Sequence, residues 1–275
     1  MATINKIIPF SCVDGLGNRM AIFFQGCNFK CTYCHNPETI NKCINCGICV
    51  SNCGADALSM KDGNVIWDKE ECINCDKCIK ICPHLASPKV EEYTVEELFK
   101  EIEKVKFFIE GITVSGGECT LNEKFLVELF EKVKSLGLTC YVDTNGSYDF
   151  FKDRGLINKT DKVMLDVKSV NKNEHIRITG KSNEVVLENL KELLNEDKLY
   201  EVRTVIAPNM NNKETVEIVS KIIGNKCRYK LIKYREFGVR EEGIEVHGNE
   251  SVKDKEVEEL KNISIKNGCI NTIIT

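Results

Sequence analysis

The chain has 275 residues, of which 42% are hydrophobic and 29% charged, with a formal net charge of −4. That length allows one large α/β core, with or without a small insertion. Lysine and glutamate alternate along the same segments (Glu96-Glu97 with Lys100, Glu103-Lys104), which excludes a basic nucleic-acid surface, and no apolar run reaches the roughly 20 residues of a membrane span.

Sixteen cysteines in a secreted chain would mean disulfides, but Met1 to Phe10 has neither a long apolar core nor a small-residue cleavage site. A reducing cytoplasm is the expectation. Eleven of the cysteines fall between residues 27 and 82, so the pattern predicts a cysteine-dense module at 38–88 set into a larger domain made of 1–37 and 89–275.

The first strand is predicted at 20–24 and runs directly into Cys27-x3-Cys31-x2-Cys34. Three thiolates for a four-iron cube leave one iron open, and an open site can bind and orient a substrate where a fully ligated cube can only pass electrons. Next come Cys43, Cys46, Cys49 and Cys53, spaced C-x2-C-x2-C-x3-C, and Cys72, Cys75, Cys78 and Cys82 at the same spacing with Pro83 following. This is the bacterial ferredoxin run, in which the fourth cysteine crosses to the other cluster. Cys82 is therefore expected with Cys43, Cys46 and Cys49, and Cys53 with Cys72, Cys75 and Cys78. Paired zinc sites are the competing reading of CxxC spacing, though zinc needs no doubled four-cysteine pattern. Gly54 stands where proline usually follows such a run, which loosens a turn without removing a ligand. Electron relay is the expected role, with a purely structural staple as the alternative.

From residue 89 onward, β-branched runs alternate with amphipathic segments, the signature of βα units and a parallel sheet. Thr94 and Glu97 form a capping box ahead of the apolar stripe Val95, Leu98, Phe99, Ile102, Val105 and Ile109. A second helix follows Asn122, with Phe125, Leu126, Leu129, Phe130 and Val133 inward and Gly137 as its stop. Further strands are predicted at 112–115, 138–142, 162–167, 200–206 and 227–233. Chain order leaves a closed eight-stranded barrel and an open six-stranded one both available; a doubly wound sheet lacks its glycine fingerprint.

Polar clusters fall at the ends of these strands, the rim where barrels place their active sites. Ser115-Gly116-Gly117-Glu118 offers bare backbone for close approach and a carboxylate to receive an ammonium. Asp143-Thr144-Asn145-Gly146 and Asp166-Val167-Lys168 end the next two strands, with Lys168 placed to meet a carboxylate or ribose oxygen. Arg203, inside the apolar strand Val202 to Ala207, must face the rim or a buried carboxylate. His175 reads as a packed histidine, and Cys12, Cys119, Cys140, Cys227 and Cys269 as small apolar residues.

The CxxxCxxC trio with Tyr33 before its last cysteine resembles the radical S-adenosylmethionine superfamily. Val13-Asp14-Gly15, Gly17-Asn18-Arg19, Phe24-Gln25-Gly26-Cys27 and Cys34-His35-Asn36-Pro37 are similar to the activating enzymes of glycyl-radical enzymes, and Ile8 to Gly15 with Met164 to Lys168 to the YjjW-type activases that carry a ferredoxin-like insertion. The resemblance implies a partial (β/α)6 barrel, three 4Fe-4S clusters and reductive cleavage of S-adenosylmethionine to methionine and a 5′-deoxyadenosyl radical. That radical takes hydrogen from a glycine of a partner enzyme, with a flavodoxin or ferredoxin-type donor supplying electrons. It further implies S-adenosylmethionine contacts from Tyr33, Gly116, Gly117, Glu118, Asp143, Thr144, Asp166, Lys168 and Arg203, and a monovalent cation among Asp143, Thr144, the Met164 carbonyl and Asp166. Asp14 and Arg19 are expected at the mouth that admits the partner. Arg235 stands where similar activases often have histidine, so no role is assigned to it. Two other functions share these motifs: a radical S-adenosylmethionine enzyme that modifies another peptide or small molecule with its auxiliary clusters, and a ferredoxin-like carrier without chemistry of its own.

Overall fold

The computed structural model describes every residue from Met1 to Thr275. Strands β1 (Ala2–Ser11) and β2 (Arg19–Phe24) open the chain as an antiparallel pair. The chain then leaves for a separate antiparallel pair, β3 (Leu58–Lys61) and β4 (Asn64–Trp67), followed by the single-turn helix α1 (Lys77–Lys80). It returns through β5 (Glu91–Tyr93), and a parallel bridge between Asn41 and Ala86 ties the way out to the way back.

Regular alternation follows: α2 (Val95–Val105), β6 (Gly111–Gly116), α3 (Glu123–Ser135), β7 (Thr139–Thr144), α4 (Gly155–Lys159) and β8 (Lys162–Asp166). Helices α5 (Lys172–Thr179) and α6 (Glu184–Asn195) lead to β9 (Leu199–Ile206), α7 (Asn212–Ile223) to β10 (Arg228–Lys233), and α8 (Glu241–His247) with α9 (Asp254–Lys266) to β11 (Thr272–Ile274). All nine strands outside the small pair form one sheet in the order β11-β10-β9-β8-β7-β6-β2-β1-β5. The six predicted strands are β2 and β6 to β10, parallel neighbours in chain order, each within two residues of its expected ends. Because β5 and β11 are free edges, the sheet is a partial barrel rather than a closed one.

Five strands escaped the sequence reading: β3 and β4 of the small pair, and three in the large sheet. The hydrophobic pattern of β1 is broken by Pro9, and its pairing with β2 slips between Ile8 and Ser11, where a residue without an N–H is tolerated. β5 and β11 are three residues each, too short to carry a period.

The expected helix signals appear as hydrogen bonds. Glu97 N donates to Thr94 Oγ1 (3.2 Å) while Thr94 N donates to Glu97 Oε2 (2.8 Å). Leu98 and Ile102 from α2, and Leu126, Leu129 and Phe130 from α3, are fully buried against Ile22, Ile112 and Val114 of the sheet. Gly137, at φ +75°, turns the chain after α3 as anticipated.

One expectation is overturned. Arg19 is not a contact at the mouth; it is 1% exposed, at the opposite, N-terminal end of the parallel strands. Its Nε donates to Thr113 Oγ1 (2.8 Å), Nη1 to Thr139 Oγ1 (2.9 Å) and Nη2 to the carbonyls of Ile112 (2.6 Å) and Thr139 (3.1 Å), and the guanidinium lies 3.7 Å over the Tyr141 ring. Its charge is thereby used to fasten β2, β6 and β7 together. Asp14 is half-buried and accepts from Ser11 Oγ (2.5 Å). No helix is long and apolar enough to cross a membrane.

Replacing Arg19 with methionine keeps most of the volume but removes the donor from five acceptors, the Leu16 carbonyl (3.2 Å) among them. The expected outcome is a loss of about 3 kcal/mol in stability, read as a lower urea midpoint by circular dichroism, with no change in S-adenosylmethionine affinity for the protein that remains folded.

Candidate active site

At the C-terminal ends of the parallel strands lies a cavity of about 300 Å³, and all three cysteines of the first trio are on its wall. They sit on the loop after β2, where Cys27 Sγ receives Phe29 N (3.4 Å) and Asn145 Nδ2 (3.8 Å). Burial pushes the Cys27 and Cys31 thiols up to about 11, so loading iron there releases protons.

That loop is clamped from outside by segments far away in sequence. Lys30 N and Thr32 N donate to the Thr179 and Ile178 carbonyls at the end of α5 (both 2.9 Å). Arg240 Nη2 donates to the Lys30 (3.2 Å) and Cys31 (3.1 Å) carbonyls, and His247 Nε2 meets Thr32 Oγ1 (2.7 Å). α8 comes so close that a Cβ on Gly243 would lie 1.9 Å from the Thr32 carbonyl oxygen. None of Arg240, Gly243 or His247 was signalled by the sequence, since each follows β10 and meets the loop only through the fold. Arg235 contributes its carbonyl, hydrogen-bonded to His35 Nε2 (2.9 Å), while its side chain is exposed.

The Ser115-Gly116-Gly117-Glu118 run behaves as expected in its backbone and otherwise in its carboxylate. Gly116 has φ +115°, and a Cβ there would lie 2.2 Å from Phe24 N; one on Gly117 would lie 2.3 Å from the Gly26 carbonyl oxygen. Only glycine lets β6 lie against the cysteine loop. Ser115, Gly116 and Gly117 line the cavity, but Glu118 turns away from it and is 1% exposed. Four donors meet Glu118: Thr120 N (3.2 Å), Thr120 Oγ1 (2.6 Å), Thr144 Oγ1 (2.8 Å) and Asn145 N (2.7 Å). Burial pushes its carboxyl up, and those hydrogen bonds oppose the shift. Glu118 therefore latches the end of β6 to the end of β7 instead of facing an ammonium.

Asp143, Thr144, Asp166, Lys168, Arg203 and Tyr33 all reach the cavity wall. Arg203 lies on the cavity wall and is at the same time a structural ion pair. Its Nη1 lies 2.9 Å from Asp143 Oδ2, and its Nε 2.5 Å from Glu201 Oε1. Glu201 is fully buried and also meets Arg228 (2.5 Å) and Lys230 (3.3 Å) of β10. Lys168 Nζ pairs with Asp166 Oδ2 (2.9 Å) and sits 5.9 Å from the Tyr33 ring centroid. The Tyr33 hydroxyl is buried without a partner. Met164 is buried off the wall, with its sulfur 3.0 Å from Arg203 Nη2. His175 is packed as expected, its Nδ1 2.8 Å from the Lys181 carbonyl and its ring edge-on to Phe29. Cys119, Cys140, Cys227 and Cys269 are buried like other small apolar residues, but Cys12 is exposed in the β1–β2 connection.

The eight remaining cysteines line two further cavities. One carries Cys43, Cys46, Cys49 and Cys82, the other Cys53, Cys72, Cys75 and Cys78. No three histidine, cysteine, aspartate or glutamate side chains anywhere converge tightly enough to hold a single ion.

The family model of the Radical SAM superfamily matches residues 21–222, from β2 through α7. The chain belongs to the radical SAM superfamily, among its activating enzymes for glycyl-radical enzymes. It is 32% identical over 263 residues to a putative glycyl-radical enzyme activating enzyme of Haemophilus influenzae, covering 87% of this chain and 84% of that one. It is 31% identical over 252 residues to the pyruvate formate-lyase 1-activating enzyme of Escherichia coli, covering 86% and 84%. It is 30% identical over 245 residues to the trans-4-hydroxy-L-proline dehydratase activating enzyme of Clostridioides difficile, covering 76% and 75%. Among solved structures, QueE from Escherichia coli shares the fold at a TM-score of 0.51 and 16% identity, over 84% of this chain and 83% of that one. As a radical SAM protein the chain uses a 4Fe-4S cluster and S-adenosylmethionine.

The glycine platform and the latch predict different failures. Gly117→Ala is expected to cut 5′-deoxyadenosine formation by about tenfold or more, because a displaced backbone spoils positioning. Glu118→Gln should instead lower the thermal midpoint while keeping activity within about threefold, since it weakens accepting hydrogen bonds outside the cavity. Product chromatography and calorimetry distinguish the two.

Proposed function

We propose that the 300 Å³ cavity is where this activase cleaves S-adenosylmethionine, and that Cys27, Cys31 and Cys34 hold the cluster that does it. The observation that carries this reading is the convergence on one wall of three thiols, a bare glycine backbone, and two cations each balanced by a carboxylate. When bound, a three-thiolate cube supplies an open iron for the methionine amino and carboxylate groups and the electron for reductive cleavage.

Each residue then has a role. The Gly116 and Gly117 backbone is the platform for the methionine ammonium, a role that passes to it from the Glu118 side chain. Lys168 and Arg203 offer donors to the carboxylate and ribose oxygens, and their partners Asp166 and Asp143 hold them in place. Tyr33 lends its ring and its unpartnered hydroxyl. A monovalent cation held by Asp143, Thr144, the Met164 carbonyl and Asp166 would compete with Arg203 and Lys168 for the same two carboxylates. With the cluster and S-adenosylmethionine bound, the cavity walls would shield the cleaved molecule from solvent until the partner's glycine arrives.

Residues 38–88 act as an inserted two-cluster relay between a flavodoxin or ferredoxin-type donor and the barrel cluster. What supports this is the cysteine grouping: each cavity takes three cysteines of one run and the fourth of the other, the crossed pattern of two-cluster ferredoxins. The reducing cytoplasm is the setting that keeps all these thiols available.

Three cubes predict about twelve irons per chain. Cys31→Ala should leave about eight and form no 5′-deoxyadenosine. Mixed anaerobically with its glycyl-radical enzyme, reductant and S-adenosylmethionine, the parent protein should produce a glycine-centred doublet by electron paramagnetic resonance; failure to produce that doublet would overturn the proposed radical transfer.

A further inference from the structure

Trp67 is the only tryptophan of the chain, and its indole Nε1 is buried with no hydrogen-bond partner. An indole N–H is a donor only, and leaving it unsatisfied inside a protein is destabilising. Trp67 ends β4 and lines the cavity that carries Cys53, Cys72, Cys75 and Cys78. Val65, two residues earlier on the same face of that strand, lines the other cavity, with Cys43, Cys46, Cys49 and Cys82. One short strand thus spans both cavities, presenting an alkyl group to one and an unpartnered indole to the other.

The rest of the walls extend this asymmetry. Lys89 lines the Trp67 cavity with its side chain only 15% exposed, held by Asp76 at 2.5 Å. Pro83 and Pro88, which have no N–H to give, line the Val65 cavity, and the half-buried His84 is the one nitrogen-bearing side chain on its wall.

We propose that Trp67 Nε1–H donates a hydrogen bond to a sulfur of the cluster held by Cys53, Cys72, Cys75 and Cys78, making that cluster the more easily reduced of the inserted pair. This rests on the two-cluster reading of residues 38–88. Hydrogen bonds to cluster sulfurs stabilise the more negative, reduced form and so raise its potential. Electrons reaching the insertion therefore rest first on the Trp67 cluster.

The test is an anaerobic redox titration of the full-length loaded protein and of Trp67→Phe, followed by electron paramagnetic resonance with iron analysis alongside. In the phenylalanine variant, one of the two insertion signals is expected to move to a more negative potential while the other and the barrel signal stay in place. Resonance Raman should show iron–sulfur bands of the parent that shift in deuterium oxide more than those of the variant. Unchanged potentials with about twelve irons retained overturn the proposal and leave the two-cluster reading standing. A parent protein that binds only about four irons overturns the two-cluster reading itself. If the variant loses its iron, the parent decides: tryptophan emission strongly quenched on loading supports contact with the cluster, and unquenched emission overturns it.

Discussion

The ion pairs around Arg203 are the constraint on which the barrel interior depends. A guanidinium with a side chain 14% exposed cannot stay in a protein interior unpaired, and Arg203 has Asp143 of β7 on one side and Glu201 of its own strand on the other. Glu201 is fully buried and answers three cations at once, with Arg228 and Lys230 joining from β10. The lumen is therefore filled by a connected charge network spanning β7, β9 and β10 rather than by the branched apolar layers of a closed barrel. At the N-terminal end of the same lumen, Arg19 over Tyr141, Tyr141 against Tyr200 and Arg228 over Tyr200 continue the polar column.

This network explains how an open sheet can hold a polar site at defined geometry. With β5 and β11 as free edges, no ring of backbone hydrogen bonds closes the barrel. The cross-strand ion pairs do part of that work, and the carboxylates that hold Arg203 and Lys168 also keep their donors pointed at the cavity. Glu118 does the equivalent for backbone. By collecting four donors from the ends of β6 and β7, it fixes the glycine platform beside the asparagine that reaches the Cys27 sulfur.

The cysteine loop is held in a different way. It is a segment without regular structure, and its backbone groups are satisfied by α5 behind it and by α8 across it. Gly243 and Gly238 let the late segment press against Thr32 and His35 with no side chain between. The element that carries the thiols is thus assembled from the beginning and the end of the chain, and its geometry requires a completed barrel.

The sequence by itself determined the cysteine spacing, the six parallel strands and the parallel class, because each depends on local pattern. Three cysteines at x3 and x2, two runs at x2, x2 and x3, and β-branched stretches alternating with a 3.6-residue stripe are all legible within a dozen residues. What only the tertiary structure decided is where charged side chains point. Arg19 and Glu118 lie in motifs that look exposed and functional, yet both are buried fasteners, because the partners that satisfy them come from other strands. Glu201 and Arg240 carry no local signal at all: one is a charge inside an apolar-looking strand, the other a helix-flanking arginine about 210 residues from the carbonyls it holds. A buried charge is placed only when its partners are, and those partners are assembled by the fold.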